Sequence, residues 1–115
     1  VFSGTPVNTT SNIRIRCTGP APNPIGAVTV TLSMGAAPTY NPRTMLSGAN
    51  TLNYNLYFNA ARTNIWGDGT AGTVVWARNV NRNTNYNRTV FGRIPAGQDA
   101  AAGAYTDTIV ATILW

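Results

Sequence analysis

The stretch 27-AVTVTLSM-34 alternates apolar and hydroxyl side chains without interruption. Val28, Val30 and Leu32 fall on one face of an extended chain, and threonine or serine occupies the positions between them. Because successive side chains of a strand point to opposite faces of its sheet, this pattern predicts a half-buried β-strand.

The same period-two pattern recurs along the chain. In 12-NIRIRCT-18, Ile13, Ile15 and Cys17 share one face while two arginines share the other. The Pro- and Gly-rich turn 19-GPAPNPIG-26 separates this run from 27–34, so the two runs are expected to be neighbouring antiparallel strands. Further strands are predicted at 51–58, 73–78, 89–95 and in the closing run 104–115, with a short edge piece at 43–46.

The connections complete the predicted architecture. Asp68 and Gly69 are a strong signal for a tight hairpin turn, and 79–88 is a polar, Asn-rich connection. No linker divides the chain, so residues 1–115 are expected to form one domain. About seven short strands joined by long connections are typical of an all-β Greek-key sandwich.

The composition excludes several classes of function. The chain has eight basic residues, all Arg, three acidic residues, all Asp, and no His, which gives a net charge of +5. Acid–base pairs, catalytic triads and transition-metal sites need groups that this chain lacks, so we expect no enzyme, no cofactor and no metal centre. The arginines are scattered, which argues against nucleic-acid binding, and no apolar run reaches the roughly 18 residues of a membrane helix.

Some single residues have two interpretations. Asp68 could be a calcium ligand, but one carboxylate is too few and the hairpin turn explains the same residues. Asp107 precedes the apolar part of the closing run, where its carboxylate could accept backbone or hydroxyl hydrogen bonds. Cys17 is either a buried free thiol or half of a disulfide whose partner lies outside this chain.

The aromatic residues also allow two interpretations. They could form a glycan-binding platform, or they could be ordinary packing residues of strands, since no cluster at one loop end is visible. The residues concerned are Tyr54, Tyr57, Trp66, Trp76, Tyr86 and Tyr105.

The amino-acid sequences of four blocks resemble those of a known family. These blocks are 53-NYNLYFNAARTNIWGDGT-70, 91-FGRIPAGQDAAAGAYTDTIVATILW-115, 12-NIRIRCTG-19 and 43-RTM-45. In order and spacing they resemble the spore coat protein U domain, the family that includes the pilin subunits of archaic (Csu-type) chaperone-usher pili. The resemblance covers nearly the whole chain from about Ile13 onward.

The resemblance implies an incomplete immunoglobulin-like sandwich that lacks its last strand and receives a donor strand from another subunit or a chaperone. Carried over by position, the donor-strand and chaperone groove is bordered by the closing strand, with its inward face formed by Ile109, Ala111, Ile113 and Trp115. The terminal carboxylate of Trp115 would be the anchor for a basic residue of the chaperone.

The resemblance also implies features before Val1, namely a donor segment and a first cysteine that pairs with Cys17. Residues 1–10 would then be the end of a first strand and the loop after it. An isolated chain with an unfilled groove is expected to be unstable or to self-associate.

The expected function is therefore that of a structural subunit of a surface fibre or spore-coat-like assembly, with a role in adhesion and biofilm. Its expected partners are identical subunits, a periplasmic chaperone and an outer-membrane usher, and its expected location is the bacterial cell surface, reached through the periplasm. The alternatives are the pilin-like domain of a tip adhesin and a glycan-binding β-sandwich module.

Overall fold

A computed structural model describes residues 5–20 and 25–115, and the regular elements within these ranges are all β-strands. None of the described segments forms a helix long and apolar enough to cross a membrane. The strands are β1 (Val7–Ile15), β2 (Gly26–Leu32), β3 (Arg43–Ser47), β4 (Asn50–Tyr57), β5 (Trp76–Val80), β6 (Tyr86–Ile94) and β7 (Ala111–Leu114).

The strands form two antiparallel sheets. The first has the order β1-β6-β4-β3 and the second has the order β5-β2-β7. In the second sheet Val30, at the centre of the stretch that alternates most regularly, lies opposite Trp76 of β5 on one side and Ile113 of β7 on the other. The predicted all-β sandwich is therefore confirmed.

The core lies between the two sheets and is built from the faces that the alternation predicted. Val28, Val30 and Leu32 of β2 are buried against Ile15 of β1. Trp66, from the loop that follows β4, is fully buried, and its indole nitrogen donates a hydrogen bond of 3.0 Å to the carbonyl of Val30. A buried indole needs such an acceptor, so this bond fixes the long loop onto the second sheet.

The predicted pairing of the first two strands is wrong. β1 pairs with β6 from Val7 opposite Ile94 to Ile15 opposite Tyr86, whereas β2 pairs with β5 and β7. An alternating pattern indicates which face of a strand is buried but carries no information on its neighbour, and the connection between β1 and β2 crosses between the sheets.

The Asp-Gly hairpin is also wrong. The segments that flank this turn meet in an isolated parallel bridge between Trp66 and Val74 instead of an antiparallel ladder. Asp68 does form a local turn, because its carboxylate accepts hydrogen bonds from the backbone nitrogen and the hydroxyl of Thr70. These bonds favour the charged carboxylate and lower the pKa of Asp68.

Several strand boundaries differ from the prediction, and β6 begins at Tyr86, within the segment 79–88 that was expected to be a connection. β5 covers Trp76–Val80 instead of 73–78, and β7 is limited to Ala111–Leu114 within the closing run. Val7–Thr10, expected to end an earlier strand and form a loop, belong to β1, while the prediction for residues 1–4 lies outside the described residues. Asn8, Thr9 and Thr10 are polar and exposed on both faces of β1, and most of 79–88 is polar, so these strand ends show no apolar alternation.

A candidate strand-binding cleft

The two sheets have four edge strands, β1 and β3 in the first and β5 and β7 in the second, and of these β1 and β7 lie on either side of one cavity. Within the described ranges, β6 is the only strand that pairs with β1, and β2 is the only strand that pairs with β7. Each strand therefore presents one row of N–H and C=O groups without a ladder partner. Such an edge is a template for pairing with another chain.

A cavity of about 350 Å³ joins these two edges. Ile15, Cys17 and Thr18 line it from β1 and the residues that follow, while Ile113 and Trp115 line it from the other side. The remaining lining residues are Arg16, Ile25 and Arg82. The open edges of the two sheets therefore border one cleft, which has a mostly apolar pocket at the end where β1 and β7 finish.

The four residues predicted to form the groove are only partly brought together. Ile113, 41% exposed, and Trp115, 85% exposed, both line the cavity. Ile109 is partly buried and packs against the core instead, and Ala111 is exposed but does not line the cavity.

The end of the chain exposes apolar side chains on both faces. Val110 is 59% exposed and Leu114 is 56% exposed, in addition to Ile113 and Trp115. Elsewhere among the described residues, the large apolar side chains found exposed are Val7 and Leu46. Several exposed large apolar side chains within one short segment indicate an interaction site more often than a single one does.

Cys17 is a partly buried free thiol that lines the cavity. Its side chain packs against the core cluster that contains Ile15. Its position at the mouth of the cleft is compatible with both interpretations drawn from the sequence, and the predicted upstream cysteine partner stays a prediction.

Hydrogen bonds hold the segment that leads into β7. The backbone nitrogen of Ser33 donates to the carbonyl of Val110 at 3.0 Å, and the backbone nitrogen of Val110 donates to the hydroxyl of Ser33 at 2.9 Å. The carboxylate of Asp107 accepts from the backbone nitrogen of Ala36 at 2.9 Å and from the hydroxyl of Tyr54 at 2.5 Å. Asp107 thus has the backbone and hydroxyl partners that its position in the sequence suggested.

Arg43 supports this segment from inside the protein. Its guanidinium is fully buried and donates two hydrogen bonds to the carbonyl of Ser33, at 2.9 and 2.8 Å. Further bonds run to the carbonyl of Trp66 at 2.7 Å and to the side-chain oxygen of Asn55 at 3.0 Å. Burial lowers the pKa of Arg43, because desolvation disfavours the charged form.

Sequence reasoning missed the roles of Arg43 and Asn55. Arg43 begins the predicted short edge piece 43–46 and Asn55 lies in the predicted strand 51–58, but nothing in either pattern distinguishes a buried polar side chain from an exposed one. Asn55 stands between the apolar residues Tyr54 and Leu56 in 51–58, and it is buried, with its amide donating to the carbonyl of Tyr40 at 2.7 Å. The available signal was the motif 43-RTM-45, which is part of the family resemblance. This motif indicates that Arg43 is a family feature but does not indicate that its side chain is buried.

Burial also affects the aromatic residues considered for glycan binding. Tyr54, Trp66 and Trp76 are buried, so they do not form an exposed platform. Burial, followed by the hydrogen bond to Asp107, raises the pKa of Tyr54. Within the described ranges, there is no group of three or more His, Cys, Asp or Glu side chains that could hold a metal ion.

The fold and the cleft define a class of protein, namely immunoglobulin-like β-sandwiches with a cleft between the edge strands of their two sheets. The chain belongs to the Spore Coat Protein U domain family, whose sequence profile matches residues 1–112. The family resemblance drawn from the sequence is therefore confirmed. No curated protein matches the chain.

Among solved structures, the chain is similar to one from the CsuC–CsuE chaperone–tip adhesion subunit pre-assembly complex of the archaic chaperone-usher Csu pili of Acinetobacter baumannii. The TM-score is 0.68 and the sequence identity 24%, and the match covers 100% of this chain and 36% of the other. The chain thus spans about a third of the length of its structural neighbour. At this identity the likeness concerns the fold, which agrees with the predicted immunoglobulin-like sandwich.

Proposed function

We propose that this chain is a pilus-type structural subunit that assembles by receiving a β-strand from another chain in the cleft between β1 and β7. The observation that supports this most directly is the cavity that Ile15 and Cys17 share with Ile113 and Trp115, because it lies between two unpaired edges. A strand inserted there would gain main-chain hydrogen bonds from the edges and burial of its apolar side chains from the cavity.

The energetics of this joint are favourable. Burying four or five apolar side chains at about 1.5–3 kcal/mol each gives an association free energy on the order of 10 kcal/mol before the entropy of association is subtracted. The same insertion would cover Ile113 and Trp115, which line the cavity and are exposed in the isolated chain. A subunit built in this way is stable in an assembly and prone to self-association alone.

The family and the structural neighbour extend the proposal to the route of assembly. A periplasmic chaperone would occupy the cleft during export, an outer-membrane usher would release the subunit, and identical subunits would polymerise at the cell surface, with a role in adhesion and biofilm. The donor segment and the cysteine partner of Cys17 would precede Val1. The protein is then a structural component and not an enzyme.

A second candidate is the pilin-like domain of a tip adhesin. The observation in its favour is that the matched chain, from a complex described as containing a tip adhesion subunit, is about three times longer than this one. The two candidates use the same cleft, so the strand-addition test applies to both.

The test uses a synthetic peptide in which valine and threonine alternate, added to the purified chain. We expect the peptide to raise the urea midpoint of unfolding and to convert self-associated material into a 1:1 complex, as followed by light scattering. Ile113→Lys is expected to weaken binding by about tenfold or more, because a lysine replaces apolar surface in the cavity.

Leu114→Lys is the matched control, since Leu114 lies on the same strand, is exposed to a similar degree and does not line the cavity. We expect it to bind the peptide within about twofold of the wild type, because its side chain is on the opposite face of β7. A monodisperse, reversibly folding monomer that gains no stability from the peptide would contradict the proposed function.

A further inference from the structure

The face of β1 and β6 that points away from the core is polar along most of its length. Ile13 packs against the core and Ile15 is buried, so the even-numbered residues of β1 point outwards. In β6 Val90 is buried, so the odd-numbered residues of that strand point outwards. The register places these residues opposite each other in four pairs, here called the outer ladder: Asn8 with Arg93, Thr10 with Phe91, Asn12 with Thr89, and Arg14 with Asn87.

The outer ladder carries positive charge at both of its ends. Arg14 stands at one end and Arg93 at the other, and neither β1 nor β6 contains an acidic residue. Arg62, from the loop after β4, adds a guanidinium 5.5 Å from the centroid of the Phe91 ring, and it donates a hydrogen bond of 3.1 Å to the carbonyl of Gly92. The positive charges are therefore spread along the face.

Amide and hydroxyl groups lie between these charges. Arg93 donates a hydrogen bond of 2.8 Å to the side-chain oxygen of Asn8, and the hydroxyl of Thr89 donates one of 3.2 Å to the side-chain oxygen of Asn12. The partner of Arg93 is neutral, so the bond orients the guanidinium without neutralising its charge. Amides and hydroxyls both donate and accept hydrogen bonds, which matches them to the hydroxyl groups of a sugar.

We propose that the outer ladder binds a linear polysaccharide that carries carboxylate or sulfate groups. The guanidinium groups supply paired donors for these anions, and the amides and hydroxyls between them supply partners for the sugar hydroxyls. β1 is nine residues long, which corresponds to about 30 Å at about 3.3 Å per residue. The face is therefore long enough to contact several sugar units in a row.

Other polymers match this face less well. Single-stranded nucleic acid binds to exposed aromatic rings on which bases stack, whereas the aromatic ring of the outer ladder is Phe91, and Arg62 packs against it. A membrane surface binds apolar side chains that enter the lipid, and the ladder residues apart from Phe91 are polar.

Strand addition uses the open edge of β1 and not its outward face, so the two sites are independent. If copies of the chain assemble into a fibre, the outer ladder is repeated, and one polysaccharide molecule can contact several copies at once.

The test measures the binding of three size-matched oligosaccharides to the purified chain, which is immobilised at low density for biolayer interferometry. The probes are oligogalacturonate, sulfated dextran and neutral dextran, and single-stranded DNA of matched charge is measured beside them. We expect at least one acidic oligosaccharide to bind about threefold or more tightly than neutral dextran, and the tighter of the two identifies the preferred anion. Its affinity should fall as salt is added.

Charge reversal locates the site. Arg14→Glu is expected to weaken binding of the acidic oligosaccharides by about two- to thirtyfold, because an attraction is replaced by a repulsion. Arg78→Glu is the matched control, since Arg78 is an exposed arginine of β5, in the other sheet, and should change the affinity by less than about twofold. Asn12→Arg adds a charge in the middle of the outer ladder and should tighten binding by about two- to fivefold.

Several results would overturn the proposed site or its partner. Equal effects of Arg14→Glu and Arg78→Glu would mean that the net charge, and not the outer ladder, attracts the polymer. Equal binding of neutral dextran, or tighter binding of the DNA than of either acidic oligosaccharide, would exclude an acidic polysaccharide as the partner, and failure of both acidic oligosaccharides to bind would exclude the site. Strand addition is tested separately, by the valine–threonine peptide and Ile113→Lys.

Discussion

Replacing Arg43 by methionine tests how the edge of the cleft is held in place. Methionine keeps much of the length of the side chain but removes every donor. The carbonyls of Ser33 and Trp66 and the side-chain oxygen of Asn55 then lose the hydrogen bonds that the guanidinium supplied. The variant therefore leaves buried acceptors unsatisfied while it removes a buried charge.

The two effects have opposite signs, and their magnitudes decide the outcome. Removing a buried charge recovers desolvation free energy, and exchanging a whole buried ion pair for apolar residues is often neutral. Here, however, the acceptors of Arg43 remain, two of them backbone carbonyls, and each unsatisfied buried acceptor destabilises by about 1–3 kcal/mol. The side-chain oxygen of Asn55 still accepts a hydrogen bond from the backbone nitrogen of Leu56, so the two carbonyls are left unsatisfied. We therefore expect the free energy of unfolding to fall by about 2–5 kcal/mol.

Urea denaturation measures the total loss, and hydrogen exchange locates it. Because Ser33 pairs with Val110, the loss of exchange protection should be greatest around Ser33 and in 106–114, and smaller in the pairs of β1 with β6. Arg78→Met is the matched control, since that arginine is exposed and makes one cation–π contact, worth about 0.5–1 kcal/mol. Arg43→Lys should fall between the two.

Two results would refute this reasoning. Arg43→Met could unfold within about 1 kcal/mol of the wild type, which would mean that the buried acceptors find other partners. Alternatively, protection could be lost evenly across both sheets, which would make Arg43 a general core residue and not a support for the edge of the cleft.

Further predictions concern alkaline pH and backbone packing. The pKa of Tyr54 is raised in the folded state, so the stability that its phenol contributes is fully present below the unfolded pKa of about 10 and is lost as pH rises through the folded pKa. Tyr54→Phe should reduce the fall in the free energy of unfolding that urea titrations measure above pH 10. An unchanged pH dependence in this variant would mean that other groups cause the fall. Gly67→Ala would place a methyl group 2.5 Å from the hydroxyl of Thr73, within the loop that positions Trp66. We expect the variant to be destabilised by about 1–3 kcal/mol and to show a lower melting temperature by calorimetry. An unchanged melting temperature would show that the loop adjusts freely to the methyl group.

The sequence predicted which face of a strand is buried better than it predicted which strands pair with each other. Val28, Val30 and Leu32 are buried as their spacing indicated, because the period of a strand is a local property. The pairing of β1 with β6 joins residues such as Asn12 and Thr89, which are far apart in the chain. Such pairing depends on how the loops cross between the sheets, and a short pattern of apolar and polar residues does not predict it.

In the candidate site, too, the residues of a single strand were predicted better than the contacts between strands. Of the residues expected to border it, Ile113 and Trp115 line the cavity, and they come from one continuous run with a visible alternation. Ile109 has the same parity but packs into the core, because the segment before β7 crosses from an isolated bridge at Leu46 and Thr106 towards β2. The opposite wall comes from β1, and only tertiary structure brings it there.

Under the proposed function, the support behind β7 has a physical purpose. β7 pairs with β2 over four residues, from Thr29 opposite Leu114 to Leu32 opposite Ala111, and its other edge must stay open for a partner. A strand held on one side tends to fray, and ordering it at the moment of binding would reduce the affinity. Arg43, through Ser33, and Asp107 hold the approach to this strand by contacts that lie away from the open edge. The edge can therefore be ordered before the partner arrives without its hydrogen-bonding groups being occupied.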